Sequence, residues 1–210
     1  MSRLTLIVAA TKANGIGQNG SLPWRLPKEM SYFAKVTSNA PEGKQNRVIM
    51  GRKTWESIPA KFRPLRDRLN VVLSRRAEFK QCVHTIQVIY WRLTQTDRAG
   101  ADVFPSLSAA IDTAASGQAH RTYVIGGATL YKESLALTPS ETEPFVDRII
   151  ITRVLDPAFD ACDAFFPDFT ADSAWRQATH DELEGWLGFD VPRGVQEEKG
   201  VMYEFQMWVR

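Results

Sequence analysis

Short runs of consecutive apolar residues alternate with helical-period stretches along the 210-residue chain. The runs predict strands at Leu4–Ala10, Arg47–Gly51, Leu69–Ser74, His84–Trp91, Thr122–Ile125, Asp147–Leu155, Trp175–Thr179 and Met202–Val209. Val71-Val72-Leu73 and Ile149-Ile150-Ile151 are apolar at every position, as strands covered on both faces are. Between them, Leu26–Thr37, Lys53–Ser57, Ser106–Ala115 and Ala128–Leu135 read as helices. Such alternation requires crossover connections, so the expected fold is α/β, a largely parallel sheet flanked by helices. The last two strands follow no predicted helix and read as an antiparallel C-terminal hairpin, joined by a long connection, Asp181–Gly200, with several glycines. Arg92–Asp102 and Thr138–Pro144 are polar and read as surface excursions. The chain is expected to form one domain over 1–210.

Composition narrows the function classes. Hydrophobic residues at 44% and charged residues at 24% are globular values. A net charge of +2 is too small for a protein that coats nucleic acid or hugs a membrane. The longest unbroken apolar run, Leu6–Ala10, is far short of a membrane span. Cys82, Cys162 and three histidines offer no Cys/His metal cluster, so no metal is expected. No signal-peptide pattern opens the chain. A soluble cytoplasmic protein, monomeric by default, is the expectation.

Three glycine stations carry candidate chemistry. Gly15-Ile16-Gly17-Gln18-Asn19-Gly20 spells G-x-G-x-x-G after a strand. A dinucleotide fold would start a helix there at once, whereas Pro23 and Pro27 follow. The segment reads instead as a flexible loop whose glycines permit positive φ and close approach to a flat ligand, or as a structural loop only. Gly126-Gly127 stands between Tyr123-Val124-Ile125 and Ala128-Thr129-Leu130-Tyr131-Lys132, where free helical N–H groups suit a pyrophosphate or the glycines serve packing alone. Gly51-Arg52-Lys53-Thr54-Trp55 is a third strand-to-helix junction, and Ser74-Arg75-Arg76 follows Leu73 directly. Together these place hydroxyls, amides and arginines at the carboxyl edge of the sheet, a pattern that favours NADPH over NADH. Each arginine taken singly reads first as a solvated surface charge.

Glu29 is the remaining anomaly. It lies three residues after Leu26 and four before Phe33, on the apolar face formed with Met30 and Ala34. A carboxylate there is costly without a partner. Burial would raise its pKa and ready it for proton chemistry or for gripping an amidine-like cation. The alternative is a position at the margin of the stripe, in reach of water.

Five stretches in order resemble one family. They are Gly15-Ile16-Gly17 to Asn19-Gly20-Ser21-Leu22-Pro23-Trp24, then Val48 to Pro59, Val124-Ile125-Gly126-Gly127, Phe165-Phe166-Pro167, and Val195-Gln196-Glu197-Glu198-Lys199-Gly200. The chain resembles the dihydrofolate reductases across nearly its whole length, most closely the longer eukaryotic forms, fungal ones included. The resemblance implies an eight-stranded sheet with about four helices and NADPH-dependent reduction of 7,8-dihydrofolate, in support of one-carbon metabolism. It implies catalytic roles for Glu29, Thr152, Trp24 and Leu22: Glu29 pairs with the pterin, Thr152 holds it from the facing strand, and Trp24 fixes a water. Ile7, Val8, Met30 and Phe33 would line the pterin, with Ser57, Ile58, Pro59 and Leu65 further out. Arg68 would clamp the glutamate tail, and the Ile7 and Ile125 carbonyls would accept from pterin amino groups beside Tyr131. For NADPH it implies Ala9, Ile16, Gly17, Gly20, Ser21 and Leu22 near the nicotinamide, under a closing loop Asn14–Trp24. Gly51, Arg52, Lys53 and Thr54, then Leu73, Ser74, Arg75 and Arg76, would hold the phosphates. Ile125, Gly126, Gly127, Ala128, Thr129, Leu130 and Tyr131 would complete that site, with the Gly126-Gly127 peptide cis. Ser21 stands where the family often has an acid. A related NADPH-dependent reductase of a riboflavin-pathway pyrimidine and a non-catalytic binding module are the rival readings; the first has no need of Glu29, Phe33 and Arg68 together.

Overall fold

The computed structural model describes residues 3–76, 79, 100–112 and 119–210. In chain order the first half contains β1 (Leu4–Thr11), β2 (Gly15–Gly17), α1 (Pro27–Ser38), β3 (Gln45–Gly51), α2 (Arg52–Ser57), a 3-10 turn (Ala60–Phe62) and β4 (Arg68–Leu73). β5 (Ala101–Phe104), α3 (Leu107–Asp112), β6 (Ala119–Val124), α4 (Ala128–Leu135) and β7 (Val146–Asp156) follow. The C-terminal part holds β8 (Ala164–Phe165), β9 (Arg176–Gln177), α5 (His180–Leu187), β10 (Gln196–Glu198) and β11 (Val201–Val209).

Successive residues of the central strands go to opposite faces of one sheet, which is why the runs are continuously apolar. Leu4, Leu6 and Val8 of β1 enter one hydrophobic cluster and Ile7 the other; Ile149 and Ile151 of β7 oppose Ile150 in the same way. α1 and α5 cover the first face and α3 and α4 the second. Each fully buried aliphatic contributes about 1.5–3 kcal/mol, so the doubly covered strands form the rigid part of the molecule.

The strand order is β10-β11-β7-β1-β6-β3-β4-β5, with two-residue β9 also paired to β11. That path holds eight strands, as the resemblance implied, and β9 adds a short ninth; β5 and β10 are strands that the apolar runs did not predict. β7, β1, β6, β3, β4 and β5 run parallel; β11 pairs antiparallel with β7, β9 and β10. The expected hairpin is present as the β9–β11 pairing, Trp208 opposite Gln177. Its connection is not a loop, however, because α5 forms within it. Thr179 accepts from the Glu182 amide while the Glu182 carboxylate accepts from the Thr179 amide, and Gly188 ends the helix at φ 76°.

Two further expectations change. Arg92–Asp102 was expected as an excursion; its end instead enters β5, where Ala101 is buried and pairs with Asn70. Gly15–Gly17 is not free loop but pairs with β8. The strand expected at His84–Trp91 lies outside the described residues. The 138–144 segment is an exposed or half-exposed turn, as expected. Among the described residues no helix is long and apolar enough to cross a membrane.

Candidate active site

Glu29 sits in the first turn of α1 and is 5% exposed. Proline at the first helical position supplies no N–H and costs nothing there. The buried residues of α1 are Glu29, Tyr32, Val36 and Thr37. The inward face is therefore rotated from the expected one: Tyr32 and Val36 carry it, while Met30 is 46% exposed at its rim. The polar Oη of Tyr32 and the threonine obscured that face in the sequence. The rotation places Glu29 at the centre of the buried stripe rather than at its margin.

Across from α1, Thr152 of β7 donates its hydroxyl to Glu29 Oε1 at 3.0 Å. Burial pushes the Glu29 carboxyl up to about 7; the Thr152 bond opposes the shift and the charge of Glu198 adds to it. An acid poised there changes protonation state near neutral pH. Tyr131 of α4 reaches through the sheet edge to donate to the Ile7 carbonyl at 2.7 Å. The Ile7 oxygen thus keeps one lone pair for another donor. Trp24 is buried with its indole Nε1 lacking an acceptor among the described residues, as a water-binding role requires. Ile7 and Ile125 are buried beside half-buried Ala9, Phe33, Ile58 and Leu65 in one cluster. Val8 points its side chain into the opposite cluster, so only its backbone faces this pocket. Leu22 is 46% exposed, and Ser21, Ser57 and Pro59 are exposed.

Arg68, at the start of β4, donates to Thr37 Oγ1 and to the Arg66 carbonyl, each at 2.7 Å. Partial burial lowers its pKa and Asp67 opposes this. Those bonds fix the guanidinium beyond the end of α1 with donors to spare for a carboxylate.

The second half of the site is the carboxyl edge of the adjacent strands β6, β3 and β4. The Gly51 amide donates to the Gly126 carbonyl at 2.7 Å, tying the β3 and β6 ends together. Gly126 has φ 116°, and a Cβ there would lie 3.3 Å from Tyr131 Oη and 3.5 Å from Thr54 Oγ1. Glycine is thus required on two counts. The Gly126-Gly127 peptide is cis, as the resemblance implied. Gly127 precedes α4, leaving the amides of Ala128 and Thr129 facing outward. Leu130 is different: its side chain belongs to the core. Arg52 pairs with Glu56 at 2.6 Å, Lys53 is exposed, and exposed Arg75 and Arg76 follow Ser74 at the end of β4 beside half-buried Leu73. Amides, hydroxyls and four cations around a side-chain-free cradle suit a phosphate-bearing coenzyme.

Gly15 is tied to the end of β1, its amide donating to Thr11 Oγ1 at 2.9 Å. A Cβ at Gly15 would lie 2.6 Å from Cys162 Sγ, so this glycine serves packing, whereas Gly20, at φ 76°, serves the turn. Arg153 roots the loop, donating to the Thr11 carbonyl at 2.7 Å and Asn14 Oδ1 at 2.9 Å. Asp163 Oδ2 accepts from the Asn19 amide at 2.8 Å. Sequence reasoning missed both, together with Glu198, whose carboxylate accepts from the Lys28 amide. Their partners lie more than a hundred residues away, so no local spacing marks them.

A buried, hydroxyl-bonded acid and an amide- and cation-lined sheet edge on an α/β fold suit an oxidoreductase. A family model described as dihydrofolate reductase matches residues 3–185. The dihydrofolate reductase of Cryptococcus neoformans is 43% identical over 98% of this chain and 94% of its own length. That of Pneumocystis carinii is 39% identical over 99% and 96%. The solved structure of the Schistosoma mansoni dihydrofolate reductase superposes with a TM-score of 0.74 at 31% identity, covering 99% of this chain and 98% of that one. The chain belongs to the dihydrofolate reductase family and is an enzyme.

Proposed function

We propose that the chain reduces 7,8-dihydrofolate to 5,6,7,8-tetrahydrofolate with NADPH, by hydride delivery to pterin C6 and protonation of N5. The observation that carries this reading is Glu29, buried and bonded to Thr152, where desolvation pushes its carboxyl up to about 7. NADPH supplies the hydride when bound; the protein's residues do the rest. The Glu29 carboxylate pairs with the 2-amino group and N3 of the pterin edge-on. The free lone pair of the Ile7 carbonyl and the Ile125 carbonyl accept from further N–H groups. Trp24 holds the water through which a proton reaches N5. Phe33, Ile58 and Leu65 exclude solvent from the ring, with Met30 closing from the rim, and Arg68 clamps the glutamate tail. Gly51, Thr54, Gly126, Gly127 and the α4 amides receive the pyrophosphate, and Arg52, Arg75 and Arg76 receive the additional phosphate that distinguishes NADPH. Asn14–Trp24 covers the nicotinamide from its anchor on Arg153. Action as a cytoplasmic monomer in one-carbon metabolism completes the proposal.

The test is turnover followed by loss of nicotinamide absorbance with dihydrofolate, in NADPH and then in NADH. The expected result is turnover with NADPH and a markedly higher KM for NADH. Equal kcat/KM with the two coenzymes would remove the arginines from phosphate recognition, and no turnover with either would overturn the reading.

A further inference from the structure

α1 begins without a local cap. Leu26 occupies the N-cap position and offers no side-chain acceptor, and Pro27 has no amide, so the first free N–H of the helix belongs to Lys28. Both carboxylate oxygens of Glu198 lie 3.0 Å from that amide. Glu198 is 8% exposed on β10, which is held by β11, which in turn pairs with β7, the strand carrying Thr152. The two elements that meet at the Glu29–Thr152 bond are therefore tied a second time, through Glu198 and the amide of Lys28, the residue before Glu29. A negative group at a helix N-terminus is also favoured by the peptide dipoles.

We propose that Glu198 is a positioning residue for the reaction: from β10 it caps α1 remotely and fixes the turn from which Glu29 reaches the substrate. This rests on the role of Glu29 proposed above. The groups that face Glu29 are Tyr32 on its own helix, Tyr131 from α4, Thr152 from β7, Tyr203 from β11 and Glu198 from β10. Glu198 is the carboxylate among them, and its charge raises the pKa of Glu29 and contributes to holding the Tyr203 hydroxyl at about 12. Glu198 thus has two separable effects, an acceptor that places the helix and a charge that favours the protonated acid.

Two variants separate them. Glu198→Gln keeps one acceptor for the Lys28 amide and removes the charge; Glu198→Ala removes both. In Glu198→Gln the dihydrofolate KM stays within about twofold while the acid-dependent rate profile moves to lower pH by roughly half a unit. In Glu198→Ala the profile moves likewise and the dihydrofolate KM rises roughly 3–10-fold with coenzyme affinity retained. The Glu29 carboxyl is also titrated directly, by carbon-13 NMR of the free protein with Glu29→Gln as the blank. That midpoint falls in both variants whether or not Glu29 serves catalysis, so failure of the catalytic reading and failure of this one are told apart. An unmoved Glu29 midpoint in a folded Glu198→Gln protein overturns the proposal, as does an unmoved dihydrofolate KM in Glu198→Ala. If Glu198→Ala does not fold, the Glu198→Gln midpoint decides; an unfolded Glu198→Gln would overturn the proposal too, since the residue would then only hold the chain together.

Discussion

The two halves of the site are built by opposite means. On the α1–β7 side the functional groups are inside: Glu29, Thr152, Tyr131 and Trp24 are all buried, and the first three are joined to protein partners. On the β3–β4–β6 edge the cations stand half or fully exposed, and Arg52 is occupied by an ion pair with Glu56. An acid in a low-dielectric pocket is held in one geometry and its proton affinity is set by that pocket. Exposed cations keep rotamer freedom and are screened, so each contributes little alone. The proposed function therefore assigns chemistry to the first half and coenzyme discrimination to the second, spread over several residues.

The largest expected effect breaks the first half. Glu29→Gln keeps the shape and removes the titrating group, so turnover with dihydrofolate falls on the order of 10²–10⁴-fold at neutral pH while NADPH affinity changes less than about twofold. Stopped-flow hydride transfer and fluorescence titration with NADPH measure the two quantities. Undiminished turnover would remove Glu29 from the chemistry.

The next prediction strikes where the halves meet. Gly126→Ala must hold φ near 116° and push a methyl to within 3.3 Å of Tyr131 Oη, the group that fixes the Ile7 carbonyl. The expected loss is about 1–3 kcal/mol of stability together with raised KM for both substrates. Denaturant unfolding and steady-state kinetics check it, and a rise confined to the coenzyme would show that the halves are not coupled through Tyr131.

Glu29 also makes the first half a stability liability with a defined pH window. Its folded pKa, about 7, lies above the ordinary glutamate value of 4.5, so between those values the folded protein binds more protons than the unfolded chain. Stability therefore falls as pH rises through this window, by at most about 3 kcal/mol from this group, and then levels off. Glu29→Gln abolishes that component. Urea unfolding at pH 5 and pH 8 compares the two proteins: the variant gains on the parent at the higher pH, and an identical pH dependence would show that the acid is not desolvated.

What the sequence revealed follows the same division. Continuous apolar runs identified the doubly covered strands because burial on two faces leaves no polar positions. Glycines at strand ends marked the glycine-lined sheet edge because a side-chain-free cradle is a local requirement. Glu29 stood out because a carboxylate conflicts with a helical stripe. The stripe itself was misplaced, since Tyr32 is buried against the Phe205 ring and Thr37 accepts from the Arg68 guanidinium, tertiary neighbours that periodicity does not weigh. α5 was hidden by the glycines and proline around it, although Thr179 and Glu182 at capping-box spacing carried the signal. Arg153 had no signal, and Glu198 stood in a stretch that carried the resemblance but had no role attached, because their meaning lies in partners brought near by the fold.

The smallest prediction tests the exposed half at its ion pair between Arg52 and Glu56. Arg52 spends a guanidinium nitrogen on Glu56 at 2.6 Å, one helical turn away, with the side chains 22% and 45% exposed. A pair this solvated is worth roughly 0.3–0.5 kcal/mol, so breaking it does little to α2. Its removal does change what the arginine faces: in Glu56→Gln the cation has no carboxylate competing with a phosphate, and the local potential becomes more positive. NADPH affinity should rise about two- to threefold at low ionic strength, NADH affinity should not change, and the gain should fade as salt shortens the screening length. Titration of both coenzymes across a salt series reads all three. An equal gain for NADH would mean that Arg52 lies against the pyrophosphate common to both, shifting discrimination to Arg75 and Arg76 on the neighbouring strand end.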